Sequence, residues 1–138
     1  MDISKILDKE NIPEINTLSP LTLAFLGDSV YEMFVRTKIL SLGNRPANEL
    51  HKIAVGYVKA KAQAIAAHKI LEILDEEETA IYKRGRNTNI HTVPKNADMA
   101  DYRHATALEA LVGYLYLTGN ETRLQEILNL AFDTLSQL

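Results

Sequence analysis

The stretch LTLAFLGDSVYEMFV, residues 21–35, determines the fold class of this 138-residue chain. Its apolar residues recur at helical spacing rather than alternating as they would in a strand. It follows Ser19 and Pro20, a pair typical of a helix start, because serine caps the first turn and proline suits its first position. The pattern predicts a helix that runs to about Leu40 and stops near Gly43.

Gly27 and Asp28 are out of place in the middle of that helix. Both are poor residues for a helix interior, and glycine costs roughly 1 kcal/mol there relative to alanine. Gly27 would be useful where another backbone approaches closely, and Asp28 where a ligand must be held. Alternatively, Asp28 caps a break between two shorter helices, and the local pattern leaves both interpretations open.

The rest of the chain also predicts helices. Leu and Ala dominate the composition, and no segment alternates with period two, so no strand is expected. We therefore predict an all-α, compact helical bundle in which residues 1–138 form a single domain. The further helices are expected at residues 47–68 after Pro46, from the capping-box pair Asp75 and Glu78 to near Lys83, at residues 98–117 before Gly119, and after Asn120, with a long loop at 84–97 and a short helix at 3–9.

Charge and composition limit the possible locations of the protein. The absence of cysteine fits a reducing cytoplasm. The N-terminus lacks the basic and apolar regions of a signal peptide, and the apolar segment 110–119 is too short to span a bilayer. We expect a soluble, cytoplasmic protein with no membrane contact. The net charge of −3 argues mildly against nucleic-acid binding.

Glu109 is a second misplaced acid. It lies in YRHATALEALVGYLYL, residues 102–117, the most apolar predicted helix, on one stripe with Thr106 and Gly113. A partly buried carboxylate needs a cation, which is either an Arg or Lys in a structural salt bridge or a metal ion, unless the position is an exposed edge. Asp28 and Glu109 together suit Mg²⁺, which binds one or two carboxylates plus waters and phosphates.

Basic residues cluster just before this helix, opposed in that part of the chain only by Asp98 and Asp101. Such a cluster is usually a solvated surface, but here it adjoins the acids, so contact with an RNA backbone is a reasonable hypothesis. The chain offers no evident aromatic platform for stacking unpaired bases, which favours a duplex. The candidate RNA-binding residues are Lys83, Arg84, Arg86, Lys95 and Arg103, with His91 and His104 beside them.

Two motifs resemble a known family. LAFLGDSV, residues 23–30, resembles the signature helix of ribonuclease III, and EALVGYLYL, residues 109–117, is similar to its second acidic helix. The loop KRGRNTNIHTVPKN, residues 83–96, followed by DYRHAT, residues 101–106, resembles the short subfamily Mini-ribonuclease III, which lacks a double-stranded-RNA-binding domain. The resemblance extends from Leu18 to about residue 135.

The resemblance implies a fold of the ribonuclease III catalytic-domain type and a function. The protein would be a homodimeric, Mg²⁺-dependent endoribonuclease that hydrolyses double-stranded RNA and matures the ends of the 23S ribosomal RNA precursor. Mn²⁺ would substitute for Mg²⁺. Asp28 and Glu109 match the family's metal-ligating and catalytic acids. The loop 84–97, or a ribosomal protein bound to the substrate, would replace the missing RNA-binding domain.

The match to the family's metal site is incomplete. The resemblance implies two further metal-ligating acids, at the positions of Ala24 and Thr106 in this chain, and another signature acid at the position of Leu21. Half of the usual four-carboxylate cluster is therefore absent, which leaves the number of metals open. The alternative hypotheses are a non-catalytic helical RNA-binding module and a helical protein-interaction domain without an RNA role.

Overall fold

The computed structural model describes residues 3–89, 95 and 97–138, and this part of the chain is helical with no strand. The all-α prediction is confirmed. No described helix is both long and apolar enough to cross a membrane. The helices are α1 (Pro20–Ile39), α2 (Ala47–Val58), α3 (Ala60–Leu71), α4 (Glu76–Arg86), α5 (Met99–Leu117) and α6 (Glu121–Ser136), with 3₁₀ turns at Ile3–Lys5, Ile15–Thr17 and Leu40–Leu42.

Side-chain caps start the helices where the sequence predicts them. The Ser19 hydroxyl accepts a hydrogen bond from the Thr22 amide at the start of α1. Asp75 and Glu78 form the predicted capping box of α4. Asn120 caps α6, after Gly119 ends the preceding segment with a φ of 72° that glycine adopts without strain.

Helix α5 lies at the centre of the bundle. It packs against α1, α3 and α4, and α6 covers α3 and part of α5. Nine of its residues are buried, distributed around much of its circumference, as expected for a helix surrounded by others. Leu108, Leu111 and Val112 are fully buried in the main core, so the position of Glu109 between them is fixed by the core itself.

The predicted helix over residues 47–68 is wrong as a single element. The structure divides it at Lys59, whose ψ of 153° is extended and which ends α2 and starts α3. The two halves pack against different partners, because α2 lies on α1 whereas α3 lies on α5 and α6. One straight helix would not reach both surfaces, and neither proline nor glycine marks the break at residues 58–60.

The bounds of two other helices differ from those that the sequence predicts. Helix α4 continues to Arg86, so residues 84–86 are helical rather than part of the predicted loop. Gly85 holds this last turn against α5, where an added Cβ would lie 3.0 Å from Ala107 Cα. The helix predicted at residues 3–9 is only the turn Ile3–Lys5. Within the loop, residues 90–94 and 96, including His91, lie outside the described residues.

A buried ion pair ties α4 to α6. Glu78 is 4% exposed and accepts hydrogen bonds of 2.8 Å from Nε and Nη2 of Arg123. Arg123 Nη2 also donates to the Ile73 carbonyl oxygen at 2.6 Å. Hydrogen bonding to Arg123 holds the pKa of Glu78 below its usual value. This acid is structural, because its charge is already matched.

Candidate functional site

Two glycines bring α1 and α5 into backbone contact. A Cβ at Gly27 would overlap the carbonyl oxygen of Glu109, and a Cβ at Gly113 would overlap the carbonyl oxygen of Leu23. No residue with a side chain fits at either position unless the helices separate. The crossing therefore explains the unusual Gly27, and it places Asp28 beside the turn of α5 that begins at Glu109.

Asp28 does not cap a helix break. Helix α1 is continuous from Pro20 to Ile39, so the hypothesis of two shorter helices is wrong. Gly27 is buried against α5, whereas Asp28 is exposed at the edge of the crossing. An exposed carboxylate at this position is accessible to a ligand from solvent.

Glu109 is half-buried, and its carboxyl group faces Asp28. Burial raises its pKa from 4.5 to about 9, and hydrogen bonding to Asp28 and repulsion by its charge act in the same direction. Burial raises the pKa of Tyr31, and the charge of Glu109 raises it further by a smaller amount. Two adjacent carboxylates repel each other when both are ionised, and a cation between them would relieve that repulsion.

The salt-bridge explanation of Glu109 finds no support. Among the described residues Glu109 forms no ion pair with Arg, Lys or His. The donor set fits Mg²⁺, because both groups are hard oxygen ligands and Asp28 is open to solvent. In the described part of the chain no three His, Cys, Asp or Glu side chains gather as metal ligands. Asp28 and Glu109 are therefore two oxygen donors that would hold such an ion, with water or phosphate completing the coordination.

Ala24 and Thr106, at two positions where the resemblance implies acids, are buried at 7% and 6% exposure. The Thr106 hydroxyl donates a 3.0 Å hydrogen bond to the Tyr102 carbonyl oxygen of its own helix. Thr106 adds no charge to the acid pair, and its hydroxyl proton is already donated to the Tyr102 carbonyl oxygen.

Sequence reasoning missed Gln63. This residue of α3 is 2% exposed, and its amide lies close enough to Glu109 to lower that carboxyl's pKa. The amide nitrogen nevertheless completes no well-formed hydrogen bond with any described residue, so it approaches the carboxyl without reaching bonding geometry. Its signal in the sequence was one uncharged polar residue within the alanine-rich run AKAQAIAA, residues 60–67.

The basic residues are distributed over α4, the loop and α5. Lys83 and Arg84 are exposed on the last turns of α4, and Lys95 is exposed in the loop. Arg86 is half-buried and donates to the Asn87 side chain at 3.1 Å, and Arg103 is half-buried on α5. Among the described carboxylates none pairs with these five cations, so their charge is not neutralised within that part of the chain.

Two histidines from different helices meet near this basic surface. The ring centroids of His68 and His104 are 4.5 Å apart, and His104 Nδ1 lies 2.5 Å from the Tyr82 hydroxyl. Burial, followed by the neighbouring His68 and Arg86, lowers the pKa of His104. His104 therefore favours the neutral imidazole at physiological pH, and its Nδ1 has the Tyr82 hydroxyl as a hydrogen-bond partner.

Replacing Glu109 by glutamine is expected to stabilise the metal-free protein at neutral pH. The carboxyl's pKa is raised on folding, so its contribution to stability is full below about pH 4.5 and is lost as the pH rises toward 9. A glutamine amide does not ionise, so the variant does not lose stability in this way as the pH rises. We expect the variant's Tm to exceed that of the wild type by a few degrees at pH 8, on the order of 1 kcal/mol or more, with little difference at pH 4.5.

Thermal unfolding in EDTA at the two pH values measures this difference. Glu14→Gln, the same change at an exposed position, serves as the control and should leave the Tm difference near zero. A Glu109→Gln protein that melts below the wild type at pH 8 would contradict the strained acid pair.

Comparisons with known proteins agree on the family. The family model "Ribonuclease III domain" matches residues 21–120. A Mini-ribonuclease 3 of Thermoanaerobacter sp. (strain X514) is 47% identical over 137 residues, which cover 99% of this chain and 94% of the relative. A Mini-ribonuclease 3 of Symbiobacterium thermophilum is 50% identical over 117 residues, covering 85% of this chain and 90% of the relative.

A solved structure shares the fold of this chain. The crystal structure of a Fusobacterium nucleatum protein superposes with a TM-score of 0.80 at 37% identity, covering 90% of this chain and 98% of that one. The likeness of sequence and of fold extends over nearly the whole chain in both comparisons. This protein therefore belongs to the ribonuclease III family, in its Mini-ribonuclease III subfamily.

Proposed function

We propose that the protein is a Mg²⁺-dependent endoribonuclease that cleaves double-stranded RNA, with Asp28 and Glu109 as its catalytic metal ligands. The observation that carries the proposal is the glycine crossing, which brings two acids from opposite ends of the chain to one edge without a cationic partner among the described residues. Mn²⁺ would substitute for Mg²⁺ in the same oxygen site. Residues 1–138 would act as one catalytic domain.

The residues of the site divide the task. A bound Mg²⁺ would lower the pKa of a coordinated water and offset the charge of the phosphate. Asp28, which is exposed, would present its carboxylate on the solvent side of that ion. Glu109 would hold the ion from α5, a helix whose position is fixed by the core. Rigid placement of both acids favours a single productive geometry.

The basic surface would bind the RNA backbone. Lys83, Arg84 and Lys95 are exposed, and Arg86 and Arg103 lie beside them in the chain. Contacts to phosphate by such side chains position a duplex without reading its sequence, which suits shape recognition of an A-form helix. By analogy with the subfamily, the substrate would be the 23S ribosomal RNA precursor in the cytoplasm, and a ribosomal protein bound to that RNA would present it.

A homodimer would be formed through α1. Phe25 is 81% exposed and Met33 62% exposed, while Phe34 packs inward against Phe132 at a centroid distance of 6.3 Å. The face is continuous with an apolar groove, and exposed apolar surface of this kind marks an interaction site. The groove is lined by Ile3, Leu7, Leu26, Val30, Met33, Phe34, Tyr116 and Leu128.

Phe25→Ser is expected to weaken the dimer at least tenfold without unfolding the protomer. A large aromatic at the centre of an interface commonly contributes about 2 kcal/mol or more, whereas this side chain contributes little to the core. Sedimentation equilibrium measures the dimer Kd. Leu138→Ser removes an equally exposed apolar side chain, 80% accessible, at the C-terminus and should leave the Kd unchanged. An unaltered dimer in Phe25→Ser would exclude this face.

A gel assay tests the activity. A ribosomal precursor duplex is incubated with the protein in Mg²⁺, in Mn²⁺ and in EDTA, with single-stranded RNA of the same sequence as the comparison. We expect cleavage of the duplex only with metal, and none of the single strand. RNA binding without a metal-dependent product would instead indicate a non-catalytic RNA-binding module, which the sparse set of acids makes the competing hypothesis.

A further inference from the structure

Gln63 is the one buried side chain among the described residues with a polar atom that has no hydrogen-bond partner. It is 2% exposed, and its neighbours Ala62, Ala64, Ala66 and Ala67 on α3 are buried as well. Burying an amide without a hydrogen-bond partner destabilises a folded protein. An apolar side chain of similar size would be more stable at this position, so the packing of α3 on α5 does not account for an amide there.

The amide has a specific neighbour. Gln63 faces the Glu109 carboxyl across the α3–α5 contact. Two other buried polar groups near Glu109 already donate elsewhere: the Tyr31 hydroxyl to the Tyr57 carbonyl oxygen at 3.4 Å, and the Thr106 hydroxyl to the Tyr102 carbonyl oxygen at 3.0 Å. Among the described residues, Gln63 is therefore the neutral donor that remains free to hydrogen-bond the Glu109 carboxylate.

We propose that Gln63 is a positioning residue for the metal site: its amide nitrogen donates a hydrogen bond to Glu109 when the acid pair holds a divalent cation, and so orients the carboxylate. The inference rests on the proposed metal site. It explains why α3 buries a donor without a partner at this position. Groups that hydrogen-bond metal ligands in this way typically change metal affinity or activity by about 10–100-fold when removed.

The proposal predicts opposite effects of Gln63→Met on stability and on metal binding. Methionine fills a similar volume without a donor, so the metal-free Tm should stay equal to that of the wild type or rise. The Kd for Mn²⁺ alone, measured by calorimetry without RNA, should increase about 10–100-fold. In the cleavage assay kcat should fall more than KM changes, because the RNA surface is untouched. Gln125→Met, on the exposed surface of α6, is the matched control.

The outcomes are separable. A folded Gln63→Met protein that binds Mn²⁺ within twofold of the wild type overturns the inference and leaves the proposed function intact. A markedly lower Tm would make the amide structural and would also overturn it, and Gln63→Leu, a second donor-free variant, checks that result. If the wild type and Asp28→Asn bind Mn²⁺ equally weakly, the metal site itself is wrong, and the inference is lost with it.

Discussion

Asp28→Asn is expected to lower the rate of duplex RNA cleavage by about 10³-fold or more while the protein stays folded and dimeric. The amide keeps the shape of the side chain but removes the exposed negative charge that would hold Mg²⁺. Metal ions contribute several kcal/mol to stabilising the transition state, and each 1.36 kcal/mol is about tenfold in rate. Because Asp28 is exposed and forms no ion pair with a described residue, its replacement should not disturb the core.

Single-turnover cleavage of a ribosomal precursor stem measures this effect, and sedimentation and circular dichroism verify the dimer and the helices. Asp133→Asn, the same change at an exposed position of α6, should cleave at the wild-type rate. Wild-type cleavage by Asp28→Asn would remove Asp28 from the mechanism, whatever the fate of Glu109.

Gly27→Ala is expected to destabilise the protein by about 3 kcal/mol or more and to abolish activity. The added methyl group would overlap the Glu109 carbonyl oxygen and crowd the Gly113 amide, so α1 and α5 must move apart. Overpacking a dense core typically costs about 1–3 kcal/mol, and an overlap with backbone, which cannot rotate away, lies at the upper end or beyond. The separation would also move Asp28 away from Glu109.

A second helical glycine provides the matched control. Gly56 of α2 is exposed, and a Cβ there would meet nothing within 4 Å. Gly56→Ala should therefore stabilise the protein by about 0.5–1 kcal/mol through helix propensity and a less flexible unfolded chain. Denaturant unfolding of both variants measures the two free energies. If Gly27→Ala stabilised the protein as Gly56→Ala is expected to do, the α1–α5 contact would be looser than the structure places it.

Much of the fold was predictable because its signals are local. Ser19, Asp75 and Asn120 cap helices through bonds to amides a few residues away, and such bonds require no knowledge of the rest of the chain. The single helix predicted over residues 47–68 failed for the opposite reason. Its break at Lys59 satisfies the separate packing of α2 and α3, a requirement set by distant helices.

The candidate site was predictable only in part. The sequence marked Asp28 and Glu109 as acids in apolar helices, and the family resemblance supplied a reaction for them. The sequence left open whether Asp28 capped a break between two helices and whether Glu109 formed a salt bridge with a basic residue. Gln63 was missed, since one glutamine in an alanine-rich helix has no meaning until the helix opposite it is known.

By itself the sequence determined the all-α class, most helix ends and the two unusual acids, because these depend on residue type and short-range spacing. Only the tertiary structure decided that Gly27 and Gly113 meet, that the acids therefore share one edge, and that Gln63 faces them. The two relations between α1 and α5 join residues about 80 positions apart, and they follow from how closely two helix backbones can approach when neither has a side chain between them.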